Sequence, residues 1–276
     1  MLDARYAWAI FYQTAHLGID MAIIRDQKPV QVVAVNGTGL EELADRVMGM
    51  ASPADVAEAI TEASREGQEV GEAPAQAGPV DAVEAFFDLV IDELSALRTR
   101  AELEAIAAAA ALILDCESRG GRVHVTGIGK SEHIARYVAS LLSSTGTPAY
   151  FLHATECIHG SAGQVCPNDI AIAISNSGTT PELLSAIETL REFGTKIIAV
   201  SGNRESELAS ISDVLLDAGV DNEGGDLNLV PRASILAKIY LLCSLSVALE
   251  ARKGLTREQY ARWHPGGALG RLARGE

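Results

Sequence analysis

The 276-residue chain is expected to fold as an α/β protein with a parallel five-stranded sheet flanked by helices. Three observations predict this. From Arg122 onward, short apolar runs alternate with helical patterns. The run Ile170 to Ile174 breaks into Ser175-Asn-Ser-Gly-Thr-Thr180, and Pro181 and a helical pattern follow. The run Arg122 to Thr126 breaks in the same way at Gly127-Ile-Gly-Lys-Ser131. Strands separated by helices imply parallel pairing with right-handed crossovers. Ligands of such sheets bind beyond the carboxyl ends of the strands, where both turns fall.

Taken in order, Asp20 to Ile24 and Val30 to Val35 read as strands around the turn Arg25-Asp-Gln-Lys-Pro29. Leu40 to Val47 and Pro53 to Ala63 read as short helices, the second capped by Ser52. Residues 1–65 thus form a small α+β unit, too short to bury a large core alone. Residues 66–79 are rich in Gly, Pro, Ala and Glu, lack periodicity, and read as a linker. Residues 80–276 form the main domain. Val80 to Leu97 places Val83, Phe86, Phe87, Val90, Ile91 and Leu94 at helical spacing, predicting one buried face. Ala101 to Glu117 is apolar nearly all round and is expected to be buried. Strands follow at Arg122–Thr126, Ala149–Leu152, Asp169–Ile174, Lys196–Val200 and Val214–Leu216. Helices are expected at Glu132–Leu142, Pro181–Phe193, Glu205–Ala209 and about Arg232–Lys253.

Composition narrows the function. The net charge of -15 argues against nucleic acid or an anionic membrane as partner. An anionic substrate must then be held by a local site. Cys116, Cys157, Cys166 and Cys243 form no Cys-x-x-Cys, so reduced cysteines in a cytoplasmic protein are expected. The start, Met-Leu-Asp-Ala-Arg, lacks a basic region followed by a long apolar one, and no leader is expected. The longest apolar run, Ala105 to Leu114, is too short to span a bilayer.

The turn after Ile174 offers the hydroxyls of Ser175, Ser177, Thr179 and Thr180, the amide of Asn176, and backbone N–H groups at a helix N-terminus. Such a site favours a dianion such as phosphate. One capping hydroxyl would need no ligand. Four around a single Gly exceed what a cap requires. The Gly127–Ser131 loop is neither a P-loop, which has four residues between its first Gly and Gly-Lys-Ser where this loop has one, nor a dinucleotide fingerprint, because Glu132 replaces the last Gly. It reads instead as a second backbone cradle around Gly129 and Ser131. Lys130 would be a point charge for an anion or an enediolate oxygen.

The chain also resembles the sugar isomerase (SIS) domain family, and within it the arabinose-5-phosphate isomerases. The segments that carry the resemblance are Gly127-Ile-Gly-Lys-Ser131, Leu142-Ser-Ser-Thr-Gly-Thr-Pro-Ala149, His153-x-x-Glu156-x-x-His159-Gly160, Ile172-Ala-Ile-Ser-Asn-Ser-Gly178, Glu182, Asn222-Glu223 and His264-Pro-Gly-Gly-Ala-Leu-Gly-Arg271. The resemblance covers about residues 80 to 272. It implies a three-layer SIS sandwich, a phosphorylated sugar as substrate, and aldose–ketose isomerisation through an enediol. It implies no metal and no cofactor. The polar residues it proposes for catalysis fall on Lys130, His159, Glu182, Glu223 and His264. Isomerisation needs a base between C1 and C2, a ring-opening group and a cation or donor for the enediolate. Glu223, in a partly apolar site with a raised pKa, is the expected base. His264 is expected to reach a neighbouring subunit's site, in a homodimer or homotetramer.

Two departures are visible. Ser161 stands where the family usually has Asp after His-Gly. Pro231-Arg-Ala-Ser-Ile-Leu236 replaces the usual Pro-Thr-Ser-Ser-Thr-Thr. Family members often carry a pair of CBS modules after this domain; none is expected here. Alternatives remain open at this level. One is another SIS chemistry on a hexose or amino-sugar phosphate. The other is a non-catalytic phosphosugar sensor, against which the absence of a basic recognition helix counts.

Overall fold

The computed structural model describes residues 9–14, 19–24, 31–36 and 78–276, the first three segments by their backbone. The chain divides into two units, Met1–Gln76 and Ala77–Glu276. In the first, β1 (Ala9–Thr14), β2 (Ile19–Ile24) and β3 (Gln31–Asn36) form an antiparallel sheet in the order β1-β2-β3. The register places Asp20 opposite Val35. Strands β2 and β3 match the two expected; β1 is an addition. The expected turn 25–29, helices 40–47 and 53–63, and linker residues 66–77 lie outside the described residues.

The second unit opens with α1 (Pro79–Arg100) and α2 (Leu103–Ser118). Alternation follows through β4 (Val123–Gly127), α3 (Lys130–Ser144), β5 (Ala149–Phe151), α4 (Ala154–Cys157) and β6 (Ile170–Ser175). It continues through α5 (Pro181–Glu192), β7 (Lys196–Ser201), α6 (Glu207–Ser210), β8 (Val214–Asp217) and α7 (Ala233–Lys253). Two short helices beyond those expected, α8 (Arg257–Trp263) and α9 (Gly267–Arg274), close the chain. The five strands are parallel in the order β5-β4-β6-β7-β8. The chain leaves β4 towards β5 on one side and continues through β6, β7 and β8 on the other. The direction of winding therefore reverses between β4 and β6.

Strand periodicity explains the three layers. On β6, Ile170, Ile172 and Ile174 face a core shared with α2, α3 and α7. Ala171 and Ala173, between them, face a second core with Leu183, Ala186, Ile187 and Leu190 of α5. Both faces of β6 are buried, as expected of a central parallel strand. Helix α7 is long and apolar enough to match a bilayer span, but half of that stretch is buried. It packs against α1, α2 and α3 as the central helix of one layer.

Two expectations are corrected here. Helix α1 does not bury Val83, Phe87 and Ile91; Phe87 and Ile91 are 60% and 62% exposed. Its inward face holds Glu93 and Leu97, and Phe86 abuts Gly224. Apolar spacing alone cannot say which face meets α7. Helix α2 is not buried all round either. Ile106, Ala109, Ala110, Ile113 and Cys116 turn inward, and Leu103 is exposed.

The amino-terminal edge of the sheet is tied by Asp169, 3% exposed. Its Oδ1 accepts the Arg122 N–H at 2.8 Å. Its Oδ2 accepts the Cys166 N–H at 2.8 Å and lies 2.8 Å from His124 Nε2. Burial alone would raise the Asp169 pKa, but the Cys166 amide, His124 and the Arg122 amide hold it below its ordinary value.

Candidate functional site

The reversal between β4 and β6 is where doubly wound sheets open a crevice. Gly127 pairs with Ile174 in the sheet register, so the two loops leave the sheet side by side. In the first loop Gly129 takes a left-handed φ of 62° as the residue before α3. A side chain is strained there, so Gly lets the chain turn directly into the helix. Lys130, at the first position of α3, is exposed, and Ser131 is half-buried.

The second loop is held from below. Ser175 Oγ accepts the Gly178 N–H at 3.0 Å and lies 3.2 Å from Thr180 Oγ1. Ser177 Oγ accepts the Thr179 N–H at 3.3 Å. Asn176 O accepts from the Gly202 N–H, and Gly178 O from the Leu208 N–H, each at 3.0 Å. A Cβ on Gly178 would stand 2.1 Å from Ser206 Oγ, so only Gly fits. Thr180 precedes α5, and no side chain caps that helix. Ser175 and Thr180 are thus spent largely on shaping the turn. Asn176, Ser177 and Thr179 are exposed at its rim beside the α5 N-terminus. Glu182 is exposed in the first turn of α5.

Glu223 lies on the loop between β8 and α7. Its Oε2 accepts the Arg232 N–H at 2.7 Å and the Ser234 N–H at 3.0 Å, at the head of α7. Burial acts to raise its pKa, but hydrogen bonds from Ser234 and Arg232 and the charge of Lys238 outweigh it. The net shift is downward. This reverses the expectation of a raised pKa. The carboxylate is partly desolvated, yet it sits on a helix N-terminus that favours its ionised form. Arg232 itself does not reach outward as a free fork. Its Nη1 donates to Gly224 O at 2.8 Å.

Two residues of this region lie outside the set that the sequence singles out. Glu93 of α1 is buried, and it accepts the N–H groups of Asp221 and Asn222 at 3.1 and 2.8 Å, pinning the start of the Glu223 loop. Lys238 of α7 is 1% exposed. Its Nζ donates to Asn176 Oδ1 at 2.7 Å and to Ser234 O at 2.9 Å. Burial pushes its ammonium down to about 8, against the pull of Glu223. A signal existed: Lys238 is the sole charge between Arg232 and Glu250 in a strongly apolar helix.

Neither candidate histidine side chain hydrogen-bonds to this network. His159 is exposed beyond α4, next to Gly160 in a left-handed conformation. His264 ends α8, its Nδ1 2.9 Å from Tyr260 O and its ring stacked on Tyr260 at 3.9 Å. The neighbouring Trp263 ring packs against Gly146, past the far end of α3. That helix has 15 residues and is about 22 Å long, with Lys130 at its other end. Within one chain, His264 is not brought to the turn. Among the described residues, no group of three His, Cys, Asp or Glu is placed to hold a metal ion.

Fold and site together define a doubly wound domain with a hydroxyl-rich, hydrogen-bonded turn at its switch point. Comparison with known proteins makes the class specific. Residues 118–248 match the SIS domain model. An arabinose 5-phosphate isomerase, KdsD, of Pseudomonas aeruginosa is 43% identical over 151 residues, covering 55% of this chain and 46% of that protein. The KdsD of Francisella tularensis is 40% identical over 185 residues, 67% and 56% of the two chains. A protein of Escherichia coli CFT073, solved in complex with arabinose 5-phosphate, is 31% identical with a TM-score of 0.62. That match covers 68% of this chain and all of the solved one. The chain belongs to the SIS domain family. It spans about half the length of the curated relatives it matches.

Proposed function

We propose that the chain is an aldose–ketose isomerase of a phosphorylated sugar, with arabinose 5-phosphate the first substrate to test. The observation that carries this reading is the pairing at one crevice of a hydroxyl-rich helix-N-terminal turn with a half-buried carboxylate held in its ionised form. The phosphate sits against Ser177, Thr179 and the α5 amides, within the turn built by Ser175, Asn176 and Thr180. Gly129 and Ser131 line the adjoining cradle. Glu223 takes the proton from C2 of the open-chain aldose and returns one at C1, giving the 2-ketose. Lys130 and nearby N–H groups hold the enediolate oxygen. Glu182 and His159 serve ring opening and proton exchange at the hydroxyls. The similarity to proteins named arabinose 5-phosphate isomerase, and to one solved with arabinose 5-phosphate bound, supports this assignment. Following hydrogen exchange at C2 across pentose and hexose phosphates tests it. Tight binding without exchange or turnover would favour a phosphosugar sensor instead.

Ser177→Ala removes an exposed rim hydroxyl without disturbing the Ser175 bonds that shape the turn. Phosphosugar affinity should fall about 10-fold, the usual worth of a hydrogen bond to a charged group, with an unchanged melting temperature. Calorimetry showing equal affinity for every phosphosugar would remove Ser177 from the site.

The working form is a cytoplasmic homodimer or homotetramer, with His264 completing a neighbouring subunit's site. Val80, Val83, Phe87 and Ile91 form an exposed apolar stripe at three- and four-residue steps along α1. Burying such a stripe in a symmetric interface is the ordinary outcome. Sedimentation should find a dimer or tetramer at micromolar concentration. A fully active monomer would refute it. The acidic balance supports neither nucleic acid nor an anionic membrane as partner.

A further inference from the structure

Lys238 touches both halves of the site. Its ammonium bonds Asn176 in the turn after β6 and the Ser234 carbonyl in the first turn of α7. Ser234 and Arg232, in that same turn, give their amides to Glu223. A buried cation is costly unless it is paired and hydrogen-bonded. Here both hydrogen-bond partners are neutral, and Glu223 is the opposing charge that Lys238 feels. An apolar side chain would suit this helix position better for packing alone. The return must lie in what the cation organises.

We propose that Lys238 is a positioning residue that ties the phosphate turn to the Glu223 loop, so that bound phosphate and the ionised carboxylate share one buried cation. The proposal rests on the isomerase reading above. It explains how a chain of net charge -15 keeps a carboxylate and a phosphate dianion in one crevice. The cation reaches the turn through Asn176 Oδ1, which fixes that side chain at the rim. It reaches Glu223 through the backbone of α7 and through its own charge.

The test is a double-mutant cycle of Lys238→Met and Asn176→Ala. It reads inorganic phosphate affinity by calorimetry, and kcat and KM on arabinose 5-phosphate. Lys238→Met should lose about 10- to 100-fold in phosphate affinity and should also lower kcat. Asn176→Ala added to it should cost less than about two-fold more, because the two residues act as one unit. A lysine that only packs would lower the melting temperature and leave affinity and kcat of the folded protein unchanged. That result, or strictly additive losses, would overturn the proposal. Lys238→Gln covers a Met variant that does not fold. It keeps a donor near Asn176 without the charge, and should recover phosphate affinity in part while kcat stays low; wild-type kcat in Lys238→Gln would overturn the proposal. If the wild type turns over no phosphosugar, the isomerase reading fails on its own. The phosphate-affinity cycle then decides alone: coupled losses support the tie, and additive losses overturn it.

Discussion

Glu223→Gln should lower the isomerisation rate by about two to four orders of magnitude, the usual worth of a positioned acid–base group. The amide oxygen of Gln can still accept the Arg232 and Ser234 N–H groups, so the loop should hold its shape. Phosphosugar affinity should survive, because the proposed phosphate contacts lie at the other turn. Exchange of the C2 hydrogen with solvent deuterium should be seen in the wild type and vanish in the variant. The structure adds a pH signature. The folded pKa of Glu223 lies below its ordinary value, about 4.3. The carboxylate therefore stays in its basic form down to that value, and the acid limb of kcat/KM should fall below it. An acid limb above pH 5 that disappears in Glu223→Gln would show that the carboxylate works in a different environment. Unchanged turnover in the variant would remove Glu223 as the base.

Asp169→Ala should destabilise the domain by about 3–5 kcal/mol, the usual result of stripping one partner from a buried charged network. Four donors lose their acceptor at once: the Arg122 and Cys166 amides, His124 Nε2 and the Arg122 guanidinium. For a domain of this size the melting temperature should fall by about 6–20 °C. The sign with pH follows from the lowered folded pKa. Above the unfolded value of about 3.9 the stabilisation is fully present, and it is lost as pH falls through the folded pKa. Melting curves of wild type and variant should thus lie far apart at pH 7 and converge near pH 2. A gap that persists at pH 2 would assign the loss to packing instead of charge.

Most of the sheet is legible in the sequence, because period-two apolar runs and glycine-bearing turns are local signals. Each of the five expected strands lies within a residue or two of the observed one. Strand β1 escapes because Ala9-Ile-Phe-Tyr-Gln-Thr14 carries no strict apolar–polar alternation, and among the described residues it pairs only with β2. Helices α8 and α9 are too short for periodicity to show. The exposed stripe on α1 misleads because apolar spacing marks a face without naming what covers it. The strand–turn–helix break at Ser175 to Pro181 is legible from composition. The lowered pKa of Glu223 is not, because it depends on amides 9 and 11 residues away that come close only when α7 docks. Lys238 is the instructive omission. A lone charge in an apolar helix announces a buried partner, but only the fold reveals that Asn176, 62 residues earlier, is that partner.

The bonds that hold the turn after β6 to its neighbours have a thermodynamic meaning. Gly202 and Leu208 donate to it, and Ser175 closes it, all from within the chain. Its conformational entropy is therefore surrendered during folding and not at the moment of encounter. Association should then resemble a key meeting a rigid lock, limited by diffusion and desolvation of the phosphate instead of by a slow ordering step. Discrimination among sugars would fall to the other rim of the crevice, where Arg232 and the Glu223 loop stand. In the proposed reading, that rim can change without touching the hydrogen bonds that shape the turn, so grip on phosphate and choice of sugar become separable properties.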